Sequence, residues 1–78
     1  MRKIKYDRHA KRRMKERSVA EEEVEVAIAD PDFSEASVKG RMNSFKYVNE
    51  RHVRVTWKEE SDYRLVITVT IRKKSFKE

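Results

Sequence analysis

The only proline, Pro31, divides the chain into two stretches of different hydrophobic period, and that change limits the fold to helices followed by a sheet. Before it, Tyr6, Ala10 and Met14 recur every four positions in a stretch free of Gly, Pro and β-branched residues, which predicts a first helix over about 6–17 with Asp7 near its start. Ser18-Val19-Ala20-Glu21 has the spacing of a capping box, so a second helix is predicted over about 19–30. Its apolar stripe is Val24, Ala27 and Ile28, and Asp30-Pro31 stops it.

After Pro31 the pattern alternates. Strands are predicted over about 33–38, 42–48, 52–58 and 63–72, separated by Gly40, Asn49-Glu50-Arg51 and the segment 59–62. Such short connections make antiparallel neighbours. In the last strand alternation assigns Tyr63, Leu65, Ile67, Val69 and Ile71 to one face and Arg64, Val66, Thr68, Thr70 and Arg72 to the other. In the third strand Val53, Val55 and Trp57 oppose His52, Arg54 and Thr56. The expected architecture is α+β: two N-terminal helices packed on the apolar face of a four-stranded antiparallel sheet, with a basic, hydroxyl-bearing face left open. Residues 1–78 form a single domain on this reading, and the tail Arg72–Lys77 is expected to fray. A domain this small builds a thin core, so either a monomer or a homodimer is expected.

Charge is segregated along the chain. Residues 1–17 carry nine Lys/Arg against Asp7 and Glu16, residues 18–36 carry seven acids and no base, and residues 37–78 carry eleven bases against five acids, which together give the net charge of +6. Clustered positive charge is the electrostatic footprint of nucleic-acid binding, and its bland counterpart is a solvated surface. The run Glu21-Glu22-Glu23 reads as a solvated face that complements the helix dipole. There is no cysteine, hence no disulfide, thiolate or cysteine-ligated metal centre, and no Gly-rich phosphate loop or paired-histidine zinc motif. No cofactor or metal is expected. No apolar run approaches the ~18 residues of a membrane span, and no signal-peptide core follows the basic start, so a cytoplasmic protein without membrane contact is expected.

His52, Arg54, Thr56, Arg64, Thr68, Thr70 and Arg72 on the predicted open face suit RNA, because guanidinium groups pair with phosphates, hydroxyls bond to phosphate oxygens or a 2′-OH, and an imidazole can exchange a proton near neutral pH. His9, Arg13 and Arg17, four residues apart, are expected at the rim of that face. RNA cleavage by attack of the 2′-OH requires in-line orientation, cations at the phosphate and one acid or base; His9 is the candidate acid or base, with Arg13, Arg17 and Arg54 on the phosphate. The competing roles are structural. His9 is equally placed to bond backbone, Arg13 and Arg17 to pair with acids of the second helix, and the threonines to serve β-propensity; Trp57, Phe45 and Tyr47 are expected to pack in the core or at a sheet edge rather than to serve as base-stacking platforms.

The segment His9-Ala10-Lys11-Arg12-Arg13-Met14-Lys15-Glu16-Arg17-Ser18-Val19, with Glu22-Glu23-Val24 and Ala27-Ile28 after it, resembles the opening of the domain-of-unknown-function 4258 family, H-A-x-x-R-M-x-x-R. Val53-Arg54-Val55 and Leu65-Val66-Ile67-Thr68-Val69-Thr70 resemble its closing strands, so the likeness runs from about Ile4 to Ile71. Its layout is similar to that of RelE-type toxins and related small ribonucleases. The resemblance implies His9, Arg13 and Thr70 as an active-site set, with Arg17 and Arg54 assisting at the phosphate and an acidic antitoxin as protein partner. The tail departs from that pattern: Lys73–Lys77 lacks the Tyr or His that many RelE-type ribonucleases carry there, which weighs against ribosome-dependent cleavage. The leading expectation is a toxin-like, metal-independent endoribonuclease. The alternatives are a non-catalytic RNA- or protein-binding module and a purely structural dimer.

Overall fold

A computed structural model describes residues 3–72, so the tail Lys73–Lys77 lies outside the described residues. The elements are β1 (Lys3–Tyr6), α1 (Arg8–Arg17), α2 (Glu21–Ala29), β2 (Phe33–Ala36), β3 (Arg41–Val48), β4 (Arg51–Glu59) and β5 (Tyr63–Arg72). They form one sheet of five strands in the order β1-β5-β4-β3-β2, covered on one face by the two helices. The α+β layering therefore follows the sequence. The sheet corrects it: β1 is an added strand, parallel to β5 from Lys3↔Tyr63 to Tyr6↔Val66, and the sheet is mixed.

Tyr6 caused that difference. Its four-residue spacing from Ala10 and Met14 looks helical, yet Ile4 and Tyr6 also alternate with Lys3 and Lys5, and the strand pairing prevails. The Asp7 N–H donates to the Val66 carbonyl at 3.0 Å, which extends the ladder one residue before Asp7 accepts the first helical bond of α1 from Lys11.

The junction between the helices also differs from the predicted capping box. Ser18 adopts a left-handed conformation with φ 53° and ends α1: its N–H bonds to the Lys15 carbonyl, and the Val19 N–H bonds to the Met14 carbonyl at 2.9 Å. That is a Schellman motif, completed by the burial of Val19 beside Met14. Ser18 is thus unavailable to cap α2, which starts after Ala20 with the Glu23 carboxylate accepting the Ala20 N–H at 2.8 Å.

Ala10 and Met14 of α1 and Val24, Ala27 and Ile28 of α2 are buried against Val53 and Val55 of β4 and Val66 and Val69 of β5. Val66 and Val69 have opposite parity in a regular strand. Both reach the core because Thr56 pairs with Thr68 while Trp57 pairs with Val66, leaving Ile67 as an inserted residue. The bulge reverses the predicted faces of residues 63–66. Arg64 shares the helix-covered face with Val66, while Tyr63 and Leu65 lie on the open one.

The β3–β4 hairpin closes through a two-residue turn, Val48↔Arg51, in which Asn49 and Glu50 both have positive φ, 53° and 63°. This type I′ geometry matches strand twist but strains a glutamate. Glu50→Gly is expected to raise stability by about 0.5–1 kcal/mol and the melting temperature by a few degrees, read from thermal unfolding.

Candidate nucleic-acid interface on the open sheet face

Strand register arranges the open face in cross-strand rows. One row runs Phe33, Phe45, Arg54, Thr70 from β2 to β5; the next runs Tyr47, His52, Arg72; a third runs Glu35, Asn43, Thr56, Thr68. Side chains directly opposite one another in a sheet interact, so each row is a physical unit.

In the first row, Arg54 Nη2 donates to Thr70 Oγ1 at 3.4 Å, and Arg54 Nε is buried without a hydrogen-bond partner. The guanidinium is therefore positioned by its neighbours while part of its donor capacity stays unused. Phe45 is only 3% exposed although it lies outside the helix-covered core: the Phe33 ring packs on it at 5.6 Å and the Arg72 guanidinium lies 5.5 Å above its centre. This small aromatic cluster fixes the long Arg72 side chain over the sheet. In the second row the Tyr47 and His52 rings pack at 4.7 Å. In the third, Thr56 Oγ1 donates to Asn43 Oδ1 at 2.7 Å, and Asn43 Nδ2 donates to Glu35 Oε2 at 3.4 Å. In that row Thr56, Asn43 and Glu35 are hydrogen-bonded to one another, whereas the first two rows contain the cations and an imidazole.

The candidates from the sequence divide among different places. Arg54, Thr70 and Arg72 come together on the open face. His9 and Arg13 form a pair on α1, where Arg13 Nε donates to His9 Nε2 at 3.3 Å and Arg13 Nη1 bonds to Glu16 at 3.1 Å. Arg17 also pairs with Glu16, at 3.5 Å, so both arginines are matched by an acid of their own helix rather than by α2. α1 packs on the covered face against β5, while Thr70, between the core positions Val69 and Ile71, points to the opposite face. Among the described residues no hydrogen bond or ion pair joins His9 or Arg13 to Thr70.

Arg64 is displaced from the predicted open face by the Ile67 bulge. Its guanidinium stacks 5.1 Å from the Trp57 ring and Nε lies 3.6 Å from Glu59. Trp57 in turn donates from Nε1 to the buried Ser44 Oγ at 2.9 Å, a packing role matching its reading as a core residue. Arg64 also lines a half-open cleft of about 260 Å³ with Ile4, Val26, Ile28, Ala29 and the acids Glu22 and Glu25. Nearby Tyr6 is pushed up to about 12 by burial first and then by Glu21 and Glu25, so it stays protonated.

Glu23 corrects the reading of the acidic run as a solvated face. Its side chain is 4% exposed and receives hydrogen bonds from the Ala20 N–H, Asn49 Nδ2 and Arg51 Nη2, each between 2.8 and 2.9 Å. Arg51 also donates to the carbonyls of Arg17 at 2.8 Å and Ser18 at 3.0 Å. Desolvation alone pushes the Glu23 carboxyl up; the Ala20, Asn49 and Arg51 hydrogen bonds and the Arg51 charge outweigh it and hold the carboxyl below its ordinary value. Sequence reasoning missed this junction. The available signal was Glu23 at the third position of α2 together with a polar two-residue hairpin turn.

Among the described residues no group of three or more His, Cys, Asp or Glu is placed to hold a metal ion, and no helix is long and apolar enough to cross a membrane. The two helices and mixed sheet define a small α+β domain whose basic open face is separate from its core. Its sequence matches the family model described as Domain of unknown function (DUF4258) over residues 6–71, and the chain belongs to that family. No curated protein and no solved structure matches it.

Proposed function

We propose that this protein binds RNA on its open sheet face and cleaves it by transesterification, as a small toxin-type endoribonuclease. The observation that carries this reading is the half-buried Arg54–Thr70 pair on the basic face of the sheet not covered by helices, with His52 and Arg72 in the adjacent row. Two helices followed by a mainly antiparallel sheet, a layout that resembles that of RelE-type ribonucleases, supports the class by analogy.

In the proposed reaction the 2′-oxygen attacks its neighbouring phosphorus, the bond from phosphorus to the 5′-oxygen breaks, and the products are a 2′,3′-cyclic phosphate and a 5′-hydroxyl. A base removes the 2′-proton and an acid returns one to the leaving oxygen. Arg54 and Arg72 stabilise the added negative charge, and the Thr70 hydroxyl orients a phosphate oxygen. His52 is the imidazole on this face; His9, with Arg13, is the second candidate and resides on the helix layer. An acidic protein partner such as an antitoxin would compete for the same cations.

The test is incubation of end-labelled RNA in EDTA, with and without ribosomes, using the native chain and its His52→Ala and His9→Ala variants. Discrete fragments ending in cyclic phosphate are expected, with a loss of about 10²–10⁴ in rate for His52→Ala and little change for His9→Ala. The reverse order transfers the acid–base role to α1. Intact RNA throughout overturns catalysis and leaves the second reading, a non-catalytic RNA- or protein-binding module, which the separation of His9 and Arg13 from Thr70 favours.

A further inference from the structure

We propose that the open face selects single-stranded RNA and orients it, seating unpaired nucleobases on the β2–β3 side and the phosphates on the β4–β5 side; this rests on the RNA reading above. The argument comes from the order of side chains within the rows. The row Phe33–Phe45–Arg54–Thr70 begins with aromatic rings and ends with a cation and a hydroxyl. The row Tyr47–His52–Arg72 repeats that order: ring, imidazole, cation. Two adjacent rows with the same polarity across a sheet match a ligand whose bases all lie to one side of its backbone.

The aromatic end is accessible. Phe33 is 41% exposed and Tyr47 52% exposed, and these two are among the large apolar side chains that the fold leaves uncovered. Each is flanked by a cross-strand ring, Phe33 by Phe45 at 5.6 Å and Tyr47 by His52 at 4.7 Å, so each is held in place at its exposed position. They sit on neighbouring strands as diagonal neighbours, a spacing of about 7–8 Å. That suits successive bases of an extended strand rather than bases stacked within a duplex. At the opposite end, the Arg54 guanidinium beside Thr70 and the Arg72 side chain over Phe45 are the phosphate donors. Stacking on aromatic rings is tolerant of sequence because every base has a π-face, so the discrimination is between unpaired and paired RNA rather than among bases. A duplex, whose bases are covered by their neighbours and whose groove edges face inward, reaches the cations but not the rings.

The test uses fluorescence anisotropy with a short labelled 2′-O-methyl RNA, which cannot undergo 2′-attack, in single-stranded and duplex form, and polyglutamate as a probe of charge alone. The native chain is expected to bind the single strand roughly ten-fold or more above the duplex. Tyr47→Ala and Phe33→Ala, both at exposed positions, are expected each to weaken single-strand binding by roughly ten-fold with the salt slope unchanged, while Tyr47→Phe restores it. Arg54→Ala and Arg72→Ala are expected instead to flatten the salt slope by about 0.7 each, one phosphate contact apiece. Single-strand binding that ignores both aromatic substitutions overturns this proposal and leaves the RNA reading standing. Equal binding to single strand, duplex and polyglutamate overturns it in favour of an acidic protein partner, and no binding to either RNA overturns it together with the RNA reading.

Discussion

Arg51→Ala is expected to lower the unfolding free energy by about 3–5 kcal/mol, because it strands the carboxylate of Glu23 in a site only 4% exposed. A domain of this length holds about 4–12 kcal/mol in total, so the variant loses a large share and its melting temperature falls by well over ten degrees. The size follows from what Arg51 joins. One guanidinium connects the Glu23 carboxylate at the start of α2 to the carbonyls of Arg17 and Ser18 at the end of α1, from its place beside the β3–β4 turn. Glu23→Gln retains an acceptor for the Ala20 N–H and is expected to cost less than Arg51→Ala. The same junction sets an acid response. Because the folded state holds the Glu23 carboxyl below its ordinary value of 4.5, its contribution is complete above that value and is lost as pH falls through the lower folded value. Urea unfolding at neutral and acidic pH measures both effects. A loss below about 1 kcal/mol at neutral pH is incompatible with the role assigned to this pair.

The second large effect separates two neighbouring residues. Val66→Glu is expected to abolish folding, whereas Leu65→Glu is expected to cost about 1 kcal/mol or less. Val66 is fully buried between the sheet and the helices, so the substitution forfeits about 1.5–3 kcal/mol of apolar burial and places an unpaired carboxylate in the core. Leu65 lies on the open face directly across from Lys5 and Lys58, where a carboxylate gains two cationic neighbours. Circular dichroism and thermal melting distinguish them. Simple alternation, with Leu65 inside and Val66 outside, predicts the opposite order, so the pair tests the Ile67 bulge itself.

That inversion shows where the sequence is readable. The helical stripe Val24, Ala27, Ile28 and the strand alternation Val53, Val55, Trp57 were legible because each is a local period repeated without interruption. The insertion of Ile67 was not, since Leu-Val-Ile-Thr-Val-Thr alternates smoothly and the bulge exists only in relation to β4. β1 was hidden for a similar reason: four residues whose strand pairing is with a segment at the far end of the chain. Ser18 and Glu23 were misread because one serine satisfies two local signatures, helix start and helix end, and only the burial of Val19 decides between them. In the candidate site, Arg54, Thr70 and Arg72 were identified by alternation that the bulge leaves intact on its C-terminal side. Arg64, on its N-terminal side, was placed on the wrong face. Tyr47 reads from sequence as a packing residue rather than a stacking platform, and Phe33 carries no signal of its own, because an aromatic residue in a strand looks the same whether it faces core or solvent.

The parallel contact of β1 with β5 also governs when the structure is completed. Lys3 meets Tyr63, so the sheet closes a loop of nearly the whole described chain, and β5 supplies both the partner of β1 and the surface on which α1 rests. As a nascent chain leaves the ribosome, α1, α2 and the β2–β4 meander emerge before the strand that joins them. Until residues 63–72 are free, the helices have half a sheet to cover and β1 has no neighbour. Completion of the sheet therefore waits for the last strand, because β1 and β5 pair across a long closed loop.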